Sequence, residues 1–428
     1  MEFIHWSGAI IGLAVAIILI FKKINPVYAL FGGAIIGGIL GGATLEQTTQ
    51  IIIDGTGSVM GAVVRVLASG ILAGILIESG AAEKIAETIV EKLGEEKALL
   101  AIALATMVIT TVGVFITVAV IIVAPIALSV AKRIGLSKSS ILLAMIGGGK
   151  SGNIISPNPN TIAVAKGFNV DLAQVMINGF IPAIVGLIVT YFVAKAISKK
   201  GEMIKKESQE SIVTTKTKPT FARAMVAPII AIILLAINPV GSILHISFLE
   251  AIKIDSMIIL PVAGLIGLAA MGQFNKVIEY TTSGLNKMTG TAVILIGAGA
   301  IAGIISNSNL SQVIVQCIQG AGIPGVFLAP ISGILMAAAT ASTSTAAILA
   351  AGSFGEAILS MGMAPLNAAI MVHAGAMAID HLPHGNFFHA SADSVKMNIG
   401  DRMKLIPYES IVGGAMTIAA TILYGFIL

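Results

Sequence analysis

Stretches of about 20 residues with scarcely a charge recur along this chain, among them 57–78, 173–197, 222–244 and 407–428. In a lipid core no water satisfies backbone N–H and C=O groups, so runs of this kind must form helices or close into a barrel. A barrel would alternate apolar and polar residues over short segments, and these runs do not alternate. The chain therefore reads as an all-α polytopic membrane protein. Composition agrees: 56% of its 428 residues are hydrophobic and 11% charged, where soluble domains carry about a quarter charged. The net charge of +4 then reports orientation in the membrane, with no nucleic-acid partner implied. The single cysteine, Cys317, excludes an intrachain disulfide and reads as a packing residue.

Spans are expected near 5–21, 27–44, 57–78, 139–165 and 173–197, and again near 222–244, 255–272, 289–306, 363–391 and 407–428. No cleavable signal pattern precedes the first apolar run, which reads as the first membrane helix. Two further apolar segments, 98–131 and 325–350, are read as helical hairpins that return to their own side. Lys97 and Lys132 flank the first. With that topology the Lys/Arg clusters share one face, leaving Lys166 and Lys253 on the other. The crowded face is cytoplasmic by the positive-inside rule, and both termini lie outside. The expected location is a bacterial or archaeal cytoplasmic (inner) membrane.

Three regions follow: an N-terminal membrane repeat at 1–198, a cytoplasmic linker at 199–221 and a C-terminal repeat at 222–428. The linker holds six lysines and three glutamates without apolar periodicity, as a solvated connector does. The halves look related. "AGILIESGAAEKIAETIVEKLG" from Ala73 and "AGIISNSNLSQVIVQCIQGAG" from Ala302 each end a span in a polar turn and begin an amphipathic helix. Glu78 is expected to cap that helix, with Asn307 in the equivalent place. Each is followed by a hairpin, a span with a polar break and a final helix. Five spans per half would set the copies in opposite orientation. Inverted repeats with discontinuous helices are the plan of secondary transporters.

The polar breaks carry the chemistry. "GGGKSGNIISPNPNT" interrupts a span with Pro157 and Pro159, which lack an N–H and disfavour helix before them. Freed carbonyls there can coordinate a cation, and a half-helix N-terminus can hold a carboxylate. Lys150, Ser151, Asn153, Ser156, Asn158, Asn160 and Thr161 are therefore substrate-site candidates. The alternative for the stretch is a proline kink filled by packing. In the hairpin segment "ATASTSTAAILAAG", Ser342, Thr343, Ser344 and Thr345 are candidates, since hydroxyls crowded at a tip outnumber what local back-bonding to the preceding turn would require. The second break, "AIDHLPHGNFFHASAD", adds Asn386 to the substrate set. Asp380, His381 and His384 there are candidates for coupling to protons. His389 is left open, and Asp393 is assigned to the cytoplasmic end. No metal centre is expected; a sodium site near Gly152, Asn153 and Thr343 is the alternative to proton coupling.

Two cations fall inside spans. Arg65 either binds a substrate carboxylate or snorkels to the outer interface. Lys150 either meets a substrate carboxylate or pairs with Asp380 across the repeats. An enzyme is not expected: no nucleophile–base pair or zinc motif stands out, and "GGGKSG" lacks the first glycine of a Walker A loop. No cofactor is expected beyond the coupling ion.

On these segments the chain resembles the gluconate permease (GntP) family of the ion transporter superfamily. "GILIESGAAEKIAETIVEKLG" resembles its "LEDSGAAERIA" segment, and "VFITVAVIIVAPIALSVAKRIGLS" its first hairpin and "AKRxGLS" loop. "GNIISPNPNTIAVA" falls where those permeases have "HGxxPPHPGPxAAA", "STSTAAILAAG" on "GSATVAMVTAAG", and "DHLPHGNFFH" on "SHVNDSGFW". The resemblance runs in order over most of the chain. It implies cation-coupled symport of a small carboxylate such as gluconate or another hydroxy acid, by alternating access, often on a homodimeric scaffold. The departures bear on the substrate: Asn153, Asn158 and Thr161 stand where the family motif has histidines, and His381, His384 and His389 enrich the second. A cation/proton antiporter on the same scaffold, using Asp380 and the histidines, is the second reading.

Overall fold

A computed structural model describes residues 4–428 apart from Lys23, 205–217, Ile323 and His384. Its elements are helices, in one succession before the linker and another after it. The first begins with α1 (Trp6–Phe21), α2 (Pro26–Leu40), α3 (Leu45–Ser58), α4 (Met60–Glu78) and α5 (Ala81–Leu93). It continues through α6 (Ala98–Thr111), α7 (Ile116–Ile134), α8 (Lys138–Asn153), α9 (Pro159–Gly167), α10 (Leu172–Asn178) and α11 (Phe180–Ala196). The second begins with α12 (Phe221–Ala224), α13 (Val226–Leu244), α14 (Ser247–Glu250), α15 (Ser256–Ala270), α16 (Val277–Ser306) and α17 (Leu310–Gly320). It ends with α18 (Leu328–Thr340), α19 (Thr343–Ser360), α20 (Pro365–Ala376), α21 (Asn386–Ser394), α22 (Ile399–Met403) and α23 (Ile406–Ile422).

Helix starts follow local chemistry. Thr44 and Gln47 form a reciprocal capping box on α3, Asn25 caps α2 ahead of Pro26, and Asp171 caps α10. Among the described residues, five helices are long and apolar enough to cross a membrane, and there are six if the bent pair Leu172–Asn178 and Phe180–Ala196 is one span. Trp6–Ile20, Pro26–Leu40, Ser256–Ala270 and Gly325–Thr340 are shorter apolar helices. Three differences from the sequence reading stand out. The amphipathic α3 fills 45–58, which was not expected to be an element. The helix ending at Ser306 begins at Val277, well before the expected 289, and its 30 residues reach about 45 Å. Cys317 is exposed rather than packed.

Both expected hairpins are helix–turn–helix units. The first arms, α6 with 14 residues and α18 with 13, rise only about 20 Å, short of the roughly 30 Å hydrocarbon core. Gly113, at φ +100°, turns the first tip; Ala341, at φ +45°, turns the second. Each first arm packs on a broken helix of its own half through small residues that let backbones approach. A Cβ on Gly148 would lie 2.0 Å from Ala103 O, and one on Gly375 would lie 2.3 Å from Pro330 O. The second arms pack on both halves, α7 on α8 and α21, and α19 on α16, α20 and α9. The halves also meet along α4–α16 and α11–α23.

Most of the linker lies outside the described residues. At its flanks, Lys138 N donates to Glu202 O at 2.9 Å, and Lys218 pairs with Glu83 at 2.7 Å and with Glu87. Partial burial opposes the charge on Lys218, but the two carboxylates outweigh it and raise the ammonium pKa. Glu78 does not cap α5: its Oε1 accepts from Ser283 at 2.8 Å and Lys287 at 2.9 Å. Ser79 accepts from Ala81 N instead, and Ser308, not Asn307, accepts from Leu310 N at the matching place in the second half.

Candidate functional site

Both breaks and the second hairpin tip converge on one cavity of about 450 Å³. In the first break α8 ends at Asn153, and α9 restarts at Pro159, the position where a missing N–H costs nothing. Asn158 caps α9: its Oδ1 accepts from Asn160 N at 2.8 Å and Thr161 N at 3.2 Å, while its Nδ2 donates to Asn153 O at 2.7 Å. Asn158 and Thr161 thus hold the link together, whereas Asn153 and Asn160 line the cavity. Ser151 Oγ donates to Gly147 O at 3.0 Å within its own helix. Ser156 Oγ is buried and meets no hydrogen-bond partner among the described residues.

The tip residues Ser342, Thr343, Ser344 and Thr345 line the same cavity, with Thr117 from the first hairpin and Asn386 from the second break. Ser344 donates to Asn160 Oδ1, joining the hairpin of one half to the break of the other. Ser342 caps α19 through Thr345 N. Thr110 and Thr340, by contrast, donate to preceding carbonyls of their own helices. Gly385 lies against the tip so closely that a Cβ would sit 2.4 Å from Ala341 O.

Five helix N-termini reach this cavity: α2, α7, α9, α19 and α21, through Pro26, Ile116, Asn160, Thr343 and Asn386. The starts of α7 and α21 have no side-chain cap, so their first N–H groups are not used by one. Aligned peptide dipoles make each such end partly positive.

Behind the cavity wall lies an ionic cluster. Lys150, in the last turn of α8, is fully buried. Its ammonium donates to Met377 O at 2.6 Å and Asp380 Oδ1 at 2.6 Å, and lies 3.1 Å from His381 Nδ1. Those contacts occupy all three of its donors. With Lys150 donating, His381 Nδ1 accepts. The ring proton is then on Nε2, 3.1 Å from both Ile406 O and Ser410 Oγ. Thr343 donates to Asp380 Oδ2, and Asp380 also forms part of the cavity wall. So of the two partners open to Lys150 from sequence, Asp380 occupies the place 230 residues along the chain.

Sequence reasoning missed the rest of the cluster. Arg402 and Glu409 are both fully buried, and the guanidinium grips the carboxylate through two nitrogens. Arg402 Nε donates to Ser391 Oγ at 3.1 Å, and its guanidinium stacks 4.7 Å from the Phe388 ring. Glu409 Oε2 stands 3.8 Å from His381 Nδ1. An acid three residues into the expected span 407–428 was the available signal; Arg402 was hidden among the lysines of 396–404, expected on the cytoplasmic face.

Arg65 lies elsewhere, on a second cavity of about 440 Å³ that Lys166 and Lys253 also line. It pairs two-pronged with Asp255, its Nε 3.0 Å from Oδ1. His389 lines the first cavity, with Nε2 2.8 Å from Pro383 O. His384 lies outside the described residues. Among the described residues no group of three or more His, Cys, Asp or Glu could hold a metal ion.

Comparison with known proteins settles the kinship. A family model for GntP family permeases matches residues 4–427. The chain belongs to the GntP permease family. An "uncharacterized transporter" of Haemophilus influenzae is 51% identical to this permease over 418 residues, covering 98% of this chain and 97% of that one. A gluconate permease of Bacillus licheniformis is 23% identical over 411 residues, covering 88% and 90%. The crystal structure of the Alcanivorax borkumensis YdaH transporter shares the fold, with TM-score 0.69 at 15% identity over 96% of this chain and 98% of that one. The relatives are permeases and transporters, not enzymes. The permease is accordingly a multi-pass membrane protein of a transport family.

Proposed function

We propose that this permease is a secondary active symporter of a small organic acid anion, gluconate or another hydroxy acid. The observation that carries this reading is the meeting of five helix N-termini on one cavity of about 450 Å³. Positive helix ends suit a carboxylate. The amides of Asn153, Asn160 and Asn386 and the hydroxyls of Thr117, Ser342 and Ser344 both donate and accept, as a polyhydroxylated chain requires. The volume is in the range of small-ligand sites. Lys150 is not assigned to the substrate, because its donors are already taken.

The repeated order of elements supports two inverted repeats, each with a re-entrant hairpin and a broken helix, working by alternating access. Under that topology both termini lie outside the inner membrane. The cavity rim at Ile24, Asn25 and Pro26, beside Lys22, then faces the cytoplasm. A homodimer belongs to the same reading through family resemblance. The coupling ion is H+, seated at Asp380 and His381, with His384 a third candidate; Na+ near Gly152, Asn153 and Thr343 is the alternative.

The test is uptake into proteoliposomes of three- to six-carbon hydroxy acids, driven by a pH gradient with and without sodium. Acid uptake driven by the pH gradient alone is expected. Asn160→Ala should weaken apparent affinity about tenfold, the cost of roughly one good hydrogen bond. Proton flux on adding cations, with no uptake of any acid, would establish the antiporter reading in its place.

A further inference from the structure

The second cavity carries an excess of positive charge. Arg65, Lys166 and Lys253 line it against two carboxylates, those of Asp171 and Asp255. Both carboxylates are engaged. Asp255 holds Arg65, and Asp171 caps α10, its Oδ1 accepting from Ala173 N at 2.9 Å and Gln174 N at 3.1 Å. Neither lysine makes a hydrogen bond or an ion pair among the described residues. Lys166 and Lys253 are also the two cations that the expected topology leaves opposite the Lys/Arg clusters, on a face where such residues are sparse. They come from different halves, one from the last turn of α9 and one from the loop ahead of α15, and meet on one cavity.

Packing sets these charges side by side. A Cβ on Gly61 would lie 3.0 Å from Arg65 Nη1 and 3.7 Å from Lys166 Cε, so guanidinium and lysine stem crowd one glycine of α4. A concave wall with one sign of charge in excess draws counter-ions, because its low-dielectric sides focus the field. Its volume of about 440 Å³ is in the range of small-ligand sites. Asn238 adds a side-chain amide, one N–H of which is occupied by Glu250 O at 2.6 Å. The half-helix α9 joins this cavity to the first. Asn160 in its first turn lines one, and Lys166 in its last turn lines the other, about 9 Å along the helix.

We propose that this cavity is a second binding site, which stages a hydroxy-acid monocarboxylate between Lys166 and Lys253 at the end of α9 remote from the first cavity. The proposal rests on the symporter reading for the class of anion. The charge count names the monocarboxylate: three cations against two acids leave one positive charge, which one carboxylate cancels. A dicarboxylate would leave a surplus negative charge beside Asp171 and Asp255. In this scheme Arg65 does not bind the anion. Asp255 engages its Nε and Nη2 and Gly61 O its Nη1, so the pair forms the wall against which the lysines work.

The experiment is equilibrium binding of radiolabelled gluconate, up to millimolar concentrations, to the purified full-length permease in phosphatidylcholine nanodiscs. The wild type should bind two gluconates per chain. Lys166→Gln/Lys253→Gln should weaken one of them about tenfold or more, and Lys166→Arg/Lys253→Arg should keep it. Both lysines are exposed, so neither pair of changes disturbs a core. Asn160→Ala should weaken the other gluconate alone. Malate, with its second carboxylate, should displace gluconate from the lysines about tenfold less well than unlabelled gluconate does. In proteoliposomes the glutamine pair should raise the KM of gluconate uptake severalfold at unchanged kcat; an unchanged KM would overturn the staging role. One gluconate per chain, weakened by Asn160→Ala and untouched by the lysine changes, would overturn this proposal and leave the symporter reading standing. Loss of the second gluconate when phosphatidylglycerol replaces phosphatidylcholine would assign the lysines to a lipid headgroup phosphate, which overturns it as well. A wild type that binds neither gluconate nor any other hydroxy acid would overturn both.

Discussion

Replacing Lys150 by methionine tests whether its ammonium is a structural counter-ion or waits for substrate. Met keeps the apolar stem but removes the charge from a site with no solvent access. Among the described residues, Asp380, 3% exposed, would keep only Thr343 and His381 as partners. Breaking a buried ion pair by deleting one member costs about 3–5 kcal/mol, because the remaining charge is left without compensation. At 1.4 kcal/mol per decade that is roughly two to three and a half orders of magnitude in the folded-to-unfolded ratio. Removing both charges avoids the penalty, so Lys150→Met/Asp380→Asn should recover about 2 kcal/mol or more of the loss. The assay is unfolding in mixed micelles of rising SDS fraction, followed by far-ultraviolet circular dichroism, which needs no label and leaves the exposed Cys317 alone. The prediction concerns the permease without substrate. Lys150→Met as stable as wild type would refute the reasoning, since an ammonium waiting for substrate contributes nothing before it arrives. A double variant no more stable than the single would equally refute the pairing.

Other outcomes follow from particular contacts. Gly385→Ala would set a Cβ 2.4 Å from Ala341 O and 2.6 Å from Ala341 Cβ; the hairpin tip must move, and gluconate affinity should fall at least tenfold, with wild-type affinity sinking the idea that tip and break are docked in the binding state. Asp255 lies in the loop ahead of α15. Partial burial would raise its pKa, but the Arg65 guanidinium and the Met257 N–H outweigh that and hold it below the usual carboxylate value. Its contribution is therefore complete above the unfolded value near 3.9 and lost as pH falls through the depressed one. Asp255→Asn should be less stable than wild type at neutral pH, and the gap should close in strong acid; a gap constant across pH would show that the ion pair is not its source.

Much of this architecture is legible from residue order. Long apolar runs leave a chain no choice but helix, because only helices satisfy every backbone group from within the segment. Prolines 157 and 159 announce a break for the same reason, by lacking a donor. Hairpin tips show as hydroxyls and small residues in the middle of apolar segments, and the order of motifs sufficed to suggest the family. Less legible were the reach of each helix and what α3 does, since an amphipathic segment at 45–58 has neither the length nor the apolarity that marks a span.

What only the tertiary structure decided is which charges meet. From sequence, Arg65 and Lys150 are the same puzzle, a cation inside an apolar run. In the folded chain Arg65 pairs with Asp255 on one cavity, and Lys150 pairs with Asp380 behind another. Arg402 passes for a cytoplasmic charge until α22 buries it on Glu409. Periodicity encodes the face a residue presents to its nearest neighbours. The partner of a buried ion is chosen by how helices far apart in the chain are packed, and here by small residues such as Gly148 and Gly375 that set how closely those helices approach.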